Sequence, residues 1–281
     1  MELQAEIIQF IQSFSNPFLD IFFIIITNFG SAIFYLIMIP IFYWSIDKKI
    51  GITLVISLMF SMYLNATLKN ITAIPRPIGN PGIRSLFVSS AGGFSFPSGH
   101  AQGTATFWGV VMQYYRSRQI YFIGIIMIFL VSLSRLYLGL HWPWDVAAGI
   151  ILGLLMSWIF TVVPKKLKSL PMLYSIILMI AIPFGLAFLF PYKDNFIYMG
   201  LSAGSFAGYK FEDYLIGFKP QSENKLKTLE KYAIGLGGFL LIYTVLKLIM
   251  PQHSFFSLLK YFVVGIWLTF GAPAIFCRLS L

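Results

Sequence analysis

Long apolar runs, separated by short polar segments, make up most of the chain. We predict membrane-spanning helices near nine ranges: 20–44, 51–68, 101–115, 120–138, 144–163, 171–190, 195–209, 232–250 and 258–277. Several of these runs reach the roughly 20 apolar residues that a spanning helix needs. Barrel strands would show alternating segments of about 10 residues instead. The pattern therefore predicts an all-α fold, a polytopic transmembrane helical bundle.

Three segments depart from this pattern. The sequence TNFGSAIFY is expected to break the first run into a short re-entrant piece and a true span. The segment 210–231 is the most polar of the chain, and we expect an interfacial loop there. Apolar residues at helical spacing near the N-terminus predict an amphipathic helix lying on the membrane: Leu3, Ile7, Phe10, Ile11 and Phe14.

Composition supports a membrane protein. Hydrophobic residues make up 58% of the chain and charged residues 11%, against roughly 25% charged residues in soluble proteins. The net charge of +10 comes mostly from Lys and Arg in short loops beside apolar runs, which favours topogenic flanks over a nucleic-acid partner. Because the richer set of loops is expected in the cytoplasm, the other set faces outward across a plasma membrane. The single Cys277 excludes an intrachain disulfide.

Three segments on the outward face concentrate ionisable residues: 69–77, 96–100 and 134–145. Each has an ordinary explanation when it is taken alone. Lys69 and Arg76 can extend from a helix end toward water, and a histidine there can simply be interfacial. Ser98 can be a helix N-cap, and Asp145 suits the first turn of a helix that begins with proline.

Taken together, the three segments indicate an anion site. Lys69, Arg76 and Arg135 are three cations on one face, and Asp145 is the one carboxylate in these segments. Ionisable groups near a bilayer are rare without a task or a partner. A phosphate group fits such a surplus of positive charge.

Further residues add groups that can do chemistry on that phosphate. Ser98, Gly99 and His100 open a predicted helix, whose N-terminal N–H groups favour an anion. If the following helix begins at residue 142 or 143, the Asp145 carboxylate can reach back to a ring nitrogen of His141. That contact would fix the tautomer and free the other nitrogen for attack, with His100 available as a general acid.

These residues fall into three signatures: Lys-x6-Arg-Pro from residue 69, Pro-Ser-Gly-His from residue 97, and Ser-Arg-x5-His-x3-Asp from residue 134. Over roughly residues 50–165 the chain resembles the type-2 phosphatidic acid phosphatase superfamily, which carries the same signatures in the same order. The resemblance implies a six-helix phosphatase core, here followed by two to three extra spans.

The resemblance also implies roles. His141 would form a phosphohistidine, Asp145 would orient it, and His100 would protonate the leaving group and then activate water. The phosphate-binding groups would be Lys69, Arg76, Ser98, Gly99 and Arg135. The resemblance implies no metal and no other cofactor.

We predict one membrane region with two parts, a catalytic core at 1–165 with the N-terminal interfacial helix, and additional spans of unknown role at 166–281. A stripe formed by Gly200, Gly204 and Gly208 suits close helix packing, within the chain or, as the alternative, in a homodimer. The favoured substrate is a polyprenyl diphosphate, and phosphatidylglycerol phosphate, phosphatidate and sphingoid-base phosphates are rivals. Two other functions stay open, a lipid phosphotransferase with the same site and a non-enzymatic phospholipid-binding transporter.

Overall fold

The computed structural model describes residues 2–166, 171–220 and 224–281, and it contains helices and no strands in these ranges. The predicted all-α fold is confirmed. The helices are α1 Glu2–Gln12, α2 Pro17–Thr27, α3 Ala32–Ile41, α4 Lys48–Thr72, α5 Gly99–Tyr115, α6 Arg118–Tyr137, α7 Pro143–Lys166, α8 Met172–Leu189, α9 Lys193–Leu215, α10 Lys225–Ile249, α11 Ser254–Ile266 and α12 Ala272–Arg278.

The chain forms two compact units. The first unit contains Met1–Leu36 and Leu64–Thr161, and the second contains Ile37–Tyr63 and Val162–Leu281. The predicted boundary between 165 and 166 lies beside residues 167–170, which are outside the described residues. The predicted two-part division stays a prediction.

Within the part of the chain that the structure describes, five helical stretches are long and apolar enough to cross a membrane: α4, α6, α10, the first 20 residues of α7, and Ser254–Arg278. The count becomes six if α1 and the α2 segment, bent by 115°, form one span. This is fewer than the nine spans predicted from the sequence. One reason is length, because α5 has 17 residues. Another is composition, because the 23-residue α9 is rich in glycine, serine and charged residues.

The predicted break in the first apolar run is present. Helix α2 ends at Thr27, a tight turn occupies Asn28–Gly30, and α3 follows from Ala32. The predicted N-terminal helix is also present as α1, and the side chains of Leu3, Phe10 and Phe14 are exposed on it. Its placement on a membrane surface stays a prediction.

The core of the first unit surrounds the turn that joins α6 to α7. Tyr137, Leu138 and Leu140 are buried against Phe23 of α2. On the other side of the turn, Trp142 is buried in a cluster with Ile8 of α1 and Ile83. Burial of a large apolar side chain contributes roughly 1.5–3 kcal/mol, so both ends of this turn are firmly held.

In the second unit, the glycine stripe of α9 packs against α11. A Cβ atom at Gly200 would lie 2.3 Å from the carbonyl oxygen of Leu258, and one at Gly204 would lie 1.9 Å from that of Phe262. The stripe therefore serves packing within the chain and leaves no room there for a second copy. A homodimer through another surface stays a prediction.

The second unit also holds a partly buried cluster of charges, which we call the Glu212 cluster: Lys48, Glu212, Asp213 and the main chain of Phe218. The Lys48 Nζ atom lies 3.0 Å from Glu212 Oε2 and 2.9 Å from Asp213 Oδ1. The Phe218 N–H also donates to the fully buried Glu212 carboxylate. Each acid in this cluster thus contacts a cation or a donor.

The interfacial loop predicted at 210–231 is shorter than expected. Helix α9 continues to Leu215 and α10 begins at Lys225, because the polar residues of this segment lie on helix ends. Residues 221–223 of the predicted loop lie outside the described residues.

Candidate active site

His141 lies in the turn between α6 and α7, and 1% of its surface is exposed. The turn depends on Gly139, which has a positive φ of +66°. A Cβ atom there would lie 2.3 Å from the carbonyl oxygen of Arg84. Glycine is the residue that adopts this backbone conformation without strain, so Gly139 allows the turn to bring His141 inward.

Asp145 reaches back to His141 across the start of α7. Its Oδ2 atom lies 3.3 Å from His141 Nδ1 and accepts a hydrogen bond from the Trp142 N–H at 2.8 Å. The Ser95 hydroxyl donates to the same oxygen. An acid at the third helical position that bonds to the N-cap N–H is one arm of a capping box. The carboxylate therefore both caps α7 and faces the imidazole.

The tautomer of His141 follows from its two neighbours. Its Nε2 atom lies 2.9 Å from Arg76 Nη1, and a guanidinium only donates hydrogen bonds. Nε2 must therefore accept, so the ring proton is on Nδ1 and faces Asp145. Burial, followed by the charges of Arg135, Arg76 and Lys69, lowers the pKa of His141 well below its ordinary value. The imidazole is thus neutral, and its Nε2 lone pair lies among cations.

Arg76 is held by main-chain carbonyls. Its Nε donates to Gly93 at 2.9 Å, its Nη2 to Gly92 at 2.7 Å, and its Nη1 to Leu140 at 2.8 Å, besides His141. Carbonyl oxygens do not neutralise a guanidinium as a carboxylate does. Arg76 therefore keeps its full positive charge beside the Nε2 atom of His141.

Lys69 is in the last turn of α4, and its Nζ donates to the carbonyls of Phe94 and Ser95. It too is bound to neutral oxygens. Its charge acts on His141 and also on His100. The predicted cation at this position is thus part of the same cluster.

Arg135 lies in the last turn of α6 and is fully buried. Its Nη1 donates to the Thr27 hydroxyl at 2.8 Å and to the Ser90 hydroxyl at 3.1 Å. Its Nε atom is buried without a hydrogen-bond partner. A buried donor left unpaired reduces the stability of the fold by about 1–3 kcal/mol. An acceptor from a bound ligand would remove this cost at Arg135 Nε.

Ser98 is the N-cap of α5, and its hydroxyl does not make the expected cap hydrogen bond. The Oγ atom is buried and unpaired, while the Ser98 N–H donates to the Asp145 carbonyl at 2.9 Å. The ordinary explanation of Ser98 as a side-chain cap is therefore wrong. Its hydroxyl is a second buried group available to a ligand, at the helix start that also contains Gly99 and His100.

His100 shares its electrostatic surroundings with His141. The charges of Arg135, Arg76 and Lys69 act on both rings, and His100 also acts on His141. The structure thus brings together all eight residues predicted for the site: Lys69, Arg76, Ser98, Gly99, His100, Arg135, His141 and Asp145. Their chemical roles stay predictions.

Some residues around the site are not predicted by the sequence motifs. The Ser95 hydroxyl donates a hydrogen bond to Asp145. The Thr27 hydroxyl accepts one from Arg135. Asn65 donates to the Pro97 carbonyl at 3.1 Å and to Gln102 at 2.8 Å, so it supports the start of α5. A signal for Asn65 exists, since it lies one helical turn before Lys69 on the same face.

Across residues 2–166, 171–220 and 224–281, no group of three or more His, Cys, Asp or Glu side chains is arranged to hold a metal ion. The groups that converge at the site are imidazoles, cations and one carboxylate. This set of groups favours an anionic ligand and the transfer of a group from that ligand to an imidazole nitrogen. The expectation of chemistry without a metal stays a prediction.

Two family models match the chain. The one described as PAP2 superfamily matches residues 50–169, which include all eight site residues. The one described as PAP2 superfamily phosphatase, transmembrane extension, matches residues 196–281. Together with the long apolar helices, the second match identifies an integral membrane protein.

The chain is also similar to curated proteins that are named as phosphatases. An undecaprenyl-diphosphatase of Sulfolobus acidocaldarius is 40% identical over 112 residues, which are 40% of this chain and 52% of that protein. Sphingosine-1-phosphate phosphatase 1 of Rattus norvegicus is 38% identical over 141 residues, 48% of this chain and 32% of the relative. The chain thus spans about half, or less, of the length of these curated relatives.

A solved structure has a similar fold. The crystal structure described as the first transmembrane PAP2 type phosphatidylglycerolphosphate phosphatase from Bacillus subtilis has a TM-score of 0.53 and 26% identity, over 60% of this chain and 88% of that one. The fold, the two family models and the assembled motif residues agree: the chain belongs to the PAP2 superfamily.

Proposed function

We propose that this protein is a membrane lipid phosphatase, which hydrolyses a phosphate monoester or diphosphate of a lipid through a phosphohistidine at His141. One observation carries the proposal: the Nε2 lone pair of a neutral, oriented imidazole lies among cations. Two buried groups beside it, Ser98 Oγ and Arg135 Nε, lack partners. A bound phosphoryl group would supply acceptors to both.

In the first step, His141 Nε2 attacks phosphorus and the bond from phosphorus to the leaving oxygen breaks. Arg76 Nη1 leaves Nε2 and donates to a phosphoryl oxygen instead. His100 gives a proton to the leaving oxygen, and the negative charge of the substrate offsets the cations that otherwise disfavour the protonated ring. Asp145 stabilises the charge that develops on His141.

In the second step, water attacks phosphorus and the phosphorus–nitrogen bond breaks. His100 accepts the proton of that water, phosphate leaves, and His141 returns to its neutral form. Phosphate-ester hydrolysis is among the slowest uncatalysed reactions. A cluster of fixed cations around the transferred group is the kind of preorganised stabilisation that such a reaction needs.

We propose a polyprenyl diphosphate as the substrate, and the undecaprenyl-diphosphatase relative supports this choice. The names of the other two proteins make sphingosine 1-phosphate and phosphatidylglycerol phosphate the substrates to compare. The distribution of basic loops supports a plasma-membrane location with the site outside the cytoplasm.

The test is release of inorganic phosphate from a panel of these purified lipids, by the full chain in lipid nanodiscs with EDTA present. Wild-type protein should release phosphate and His141→Ala should lose activity on the order of 10⁴-fold or more, because the nucleophile is gone. Rapid quenching with labelled substrate should trap label on wild type and none on the variant.

The matched control is His253→Ala, because His253 caps α11 in the second unit through a bond from the Phe255 N–H. This variant should retain wild-type rates. Full activity of His141→Ala would overturn the assigned nucleophile. Transfer of label to another lipid instead of water would identify a phosphotransferase, and lipid uptake without any phosphate release would identify a transporter; either result overturns hydrolysis.

A further inference from the structure

We propose that Gln12 of the N-terminal helix α1 is a positioning residue for His141, an inference that rests on the proposed function. Gln12 belongs to none of the three motifs and precedes the matched region at 50–169. It is 8% exposed on an otherwise largely exposed helix. A buried amide on such a helix needs hydrogen-bond partners, and the partners of Gln12 lie in segments that flank the site.

The Gln12 side chain bonds to two segments that surround His141. Its Nε2 donates to the Tyr137 carbonyl at 2.8 Å and to the Arg84 carbonyl at 2.7 Å. Its Oε1 accepts from the Arg84 N–H at 3.0 Å. Both donors of the amide are therefore used, and one side chain links the end of α6 to the segment before the Pro-Ser-Gly-His motif.

The Tyr137 carbonyl is one of the last four of α6, which no further helical turn can satisfy. The carbonyls of residues 134–136 accept from N–H groups of the turn itself. Gln12 supplies a donor to the last one, at Tyr137. Carbonyls within the turn also accept hydrogen bonds from residues outside it. The Leu138 carbonyl accepts from the Leu86 N–H, and the Leu140 carbonyl accepts from Arg76 Nη1.

These bonds matter because the turn contains a glycine. A Cβ atom at Gly139 would lie 3.1 Å from Gln12 Nε2, so Gln12 packs directly against the most flexible residue of the turn. His141 follows two residues later, with its two ring nitrogens aligned between Asp145 and Arg76. A displacement of about 1 Å at a reacting atom can reduce a rate by about 100-fold.

A residue that merely stabilises the fold would behave differently, and the chain offers a matched control. Gln113 of α5 also makes three side-chain bonds: Nε2 donates to the Gly109 carbonyl and to Ser157, and Oε1 accepts from Thr161. It lies 13 residues beyond His100 on the same helix, roughly 20 Å away along the axis. Its loss should reduce stability without moving His141.

The experiment compares Gln12→Ala, Gln12→Met and Gln113→Ala with wild type, each as the full chain in nanodiscs. The measurements are kcat, KM, the thermal unfolding midpoint and inhibition by inorganic phosphate, with rates corrected for the folded fraction. Gln12→Met keeps the buried volume and removes the hydrogen bonds. It serves as the folded variant if Gln12→Ala unfolds.

Both Gln12 variants should lower kcat by between about tenfold and about 100-fold. Their KM and their inhibition constant for inorganic phosphate should stay within about twofold, because the phosphate-binding cations are not displaced. Gln113→Ala should lower the unfolding midpoint as much as Gln12→Ala and keep kcat within about twofold.

Two outcomes would overturn the inference separately. If wild type is active and the Gln12 variants keep its kcat, or lose it only in proportion to the folded fraction, Gln12 does not position His141. If wild type releases no phosphate from any lipid tested, the proposed function fails and this inference fails with it.

Discussion

Each of the two units holds a partly buried cluster of charged side chains, and the two clusters differ in the balance of positive and negative charge. In the Glu212 cluster, Lys48 contacts two carboxylates and the Phe218 N–H completes the set. In the candidate active site, three cations surround one carboxylate, and Ser98 Oγ and Arg135 Nε are left unpaired. A cluster whose charges are paired is typical of a structural role, whereas a cationic cluster with unpaired groups favours an anionic ligand.

Replacing the buried carboxylate of each cluster by its amide should produce the largest difference between the two clusters in activity and stability. In Asp145→Asn, an amide oxygen at the Oδ2 position can still accept from Trp142 and Ser95 and face His141 Nδ1. The negative charge that would stabilise the ring as it becomes positively charged is then lost, while the hydrogen bonds remain. We expect phosphate release to fall on the order of 10³-fold with little change in the unfolding midpoint.

The matched variant is Glu212→Gln. It should keep activity within about twofold and lower the free energy of unfolding by about 1–2 kcal/mol, since it weakens charge-assisted bonds to Lys48 and Phe218. Equal activity losses in the two variants, each measured on folded protein, would remove the distinction between the clusters.

Removing one cation from each cluster should have smaller effects, of opposite kinds. Arg135→Met should lower kcat/KM by about 10²- to 10³-fold, because a proposed ligand of the transferred phosphoryl group is lost. Its unfolding midpoint should be unchanged or higher, since repulsion among three like charges decreases. Lys48→Met should destabilise the fold by about 2 kcal/mol, because the buried Glu212 is left without its cation.

Thermal unfolding followed by tryptophan fluorescence, together with phosphate release, measures both effects. A strongly destabilised Arg135→Met protein would show that Arg135 serves the fold through Thr27 and Ser90. An inactive but stable Lys48→Met protein would give the Glu212 cluster a part in the reaction.

The smallest effect concerns pH. In the proposed reaction His141 must be neutral to attack, and its pKa is lowered by burial and then by the charges of Arg135, Arg76 and Lys69. The ring therefore stays neutral to a lower pH than an ordinary histidine, and loss of kcat/KM from its protonation should begin below about pH 6.5. We call this loss of kcat/KM at low pH the acid limb of the profile. In Arg135→Met the acid limb should move to higher pH, because one cation that disfavours protonation of His141 is gone.

The pH profile of kcat/KM for the residual activity measures this shift. Lys48→Met should leave the limb where it is in wild type, since Lys48 is not among the charges that act on His141. An acid limb that moves equally in both variants would contradict the assignment of the limb to His141.

Local patterns predicted much of the site. The contact between His141 and Asp145 follows from four-residue spacing across a helix start, and the break at residues 28–30 follows from Asn and Gly within an apolar run. The side-chain state of Ser98 could not be predicted in this way. A serine before a helix normally caps it, and only the tertiary arrangement shows that its hydroxyl is unpaired.

Contacts across long sequence distances were the other limit. Thr27 bonds to Arg135 over 108 residues, and Gln12 bonds to Tyr137 over 125 residues. No periodicity or motif connects such positions, because they meet only after the helices pack. The sequence predicts nine candidate spans, whereas five or six stretches of the described residues combine the length and the hydropathy of a spanning helix, because hydropathy along the sequence does not show where each helix begins and ends.

The hydrogen bond from Arg76 to His141 Nε2 has a consequence for selectivity. In the proposed reaction, the lone pair that would attack is held in this hydrogen bond until a substrate binds, so a neutral electrophile such as a carboxylic ester would meet a nitrogen that is already engaged. A phosphate substrate would draw the guanidinium to its own oxygens and thereby free the nitrogen. The negative charge of the substrate would then be required for attack, and uncharged esters would be rejected before any bond forms.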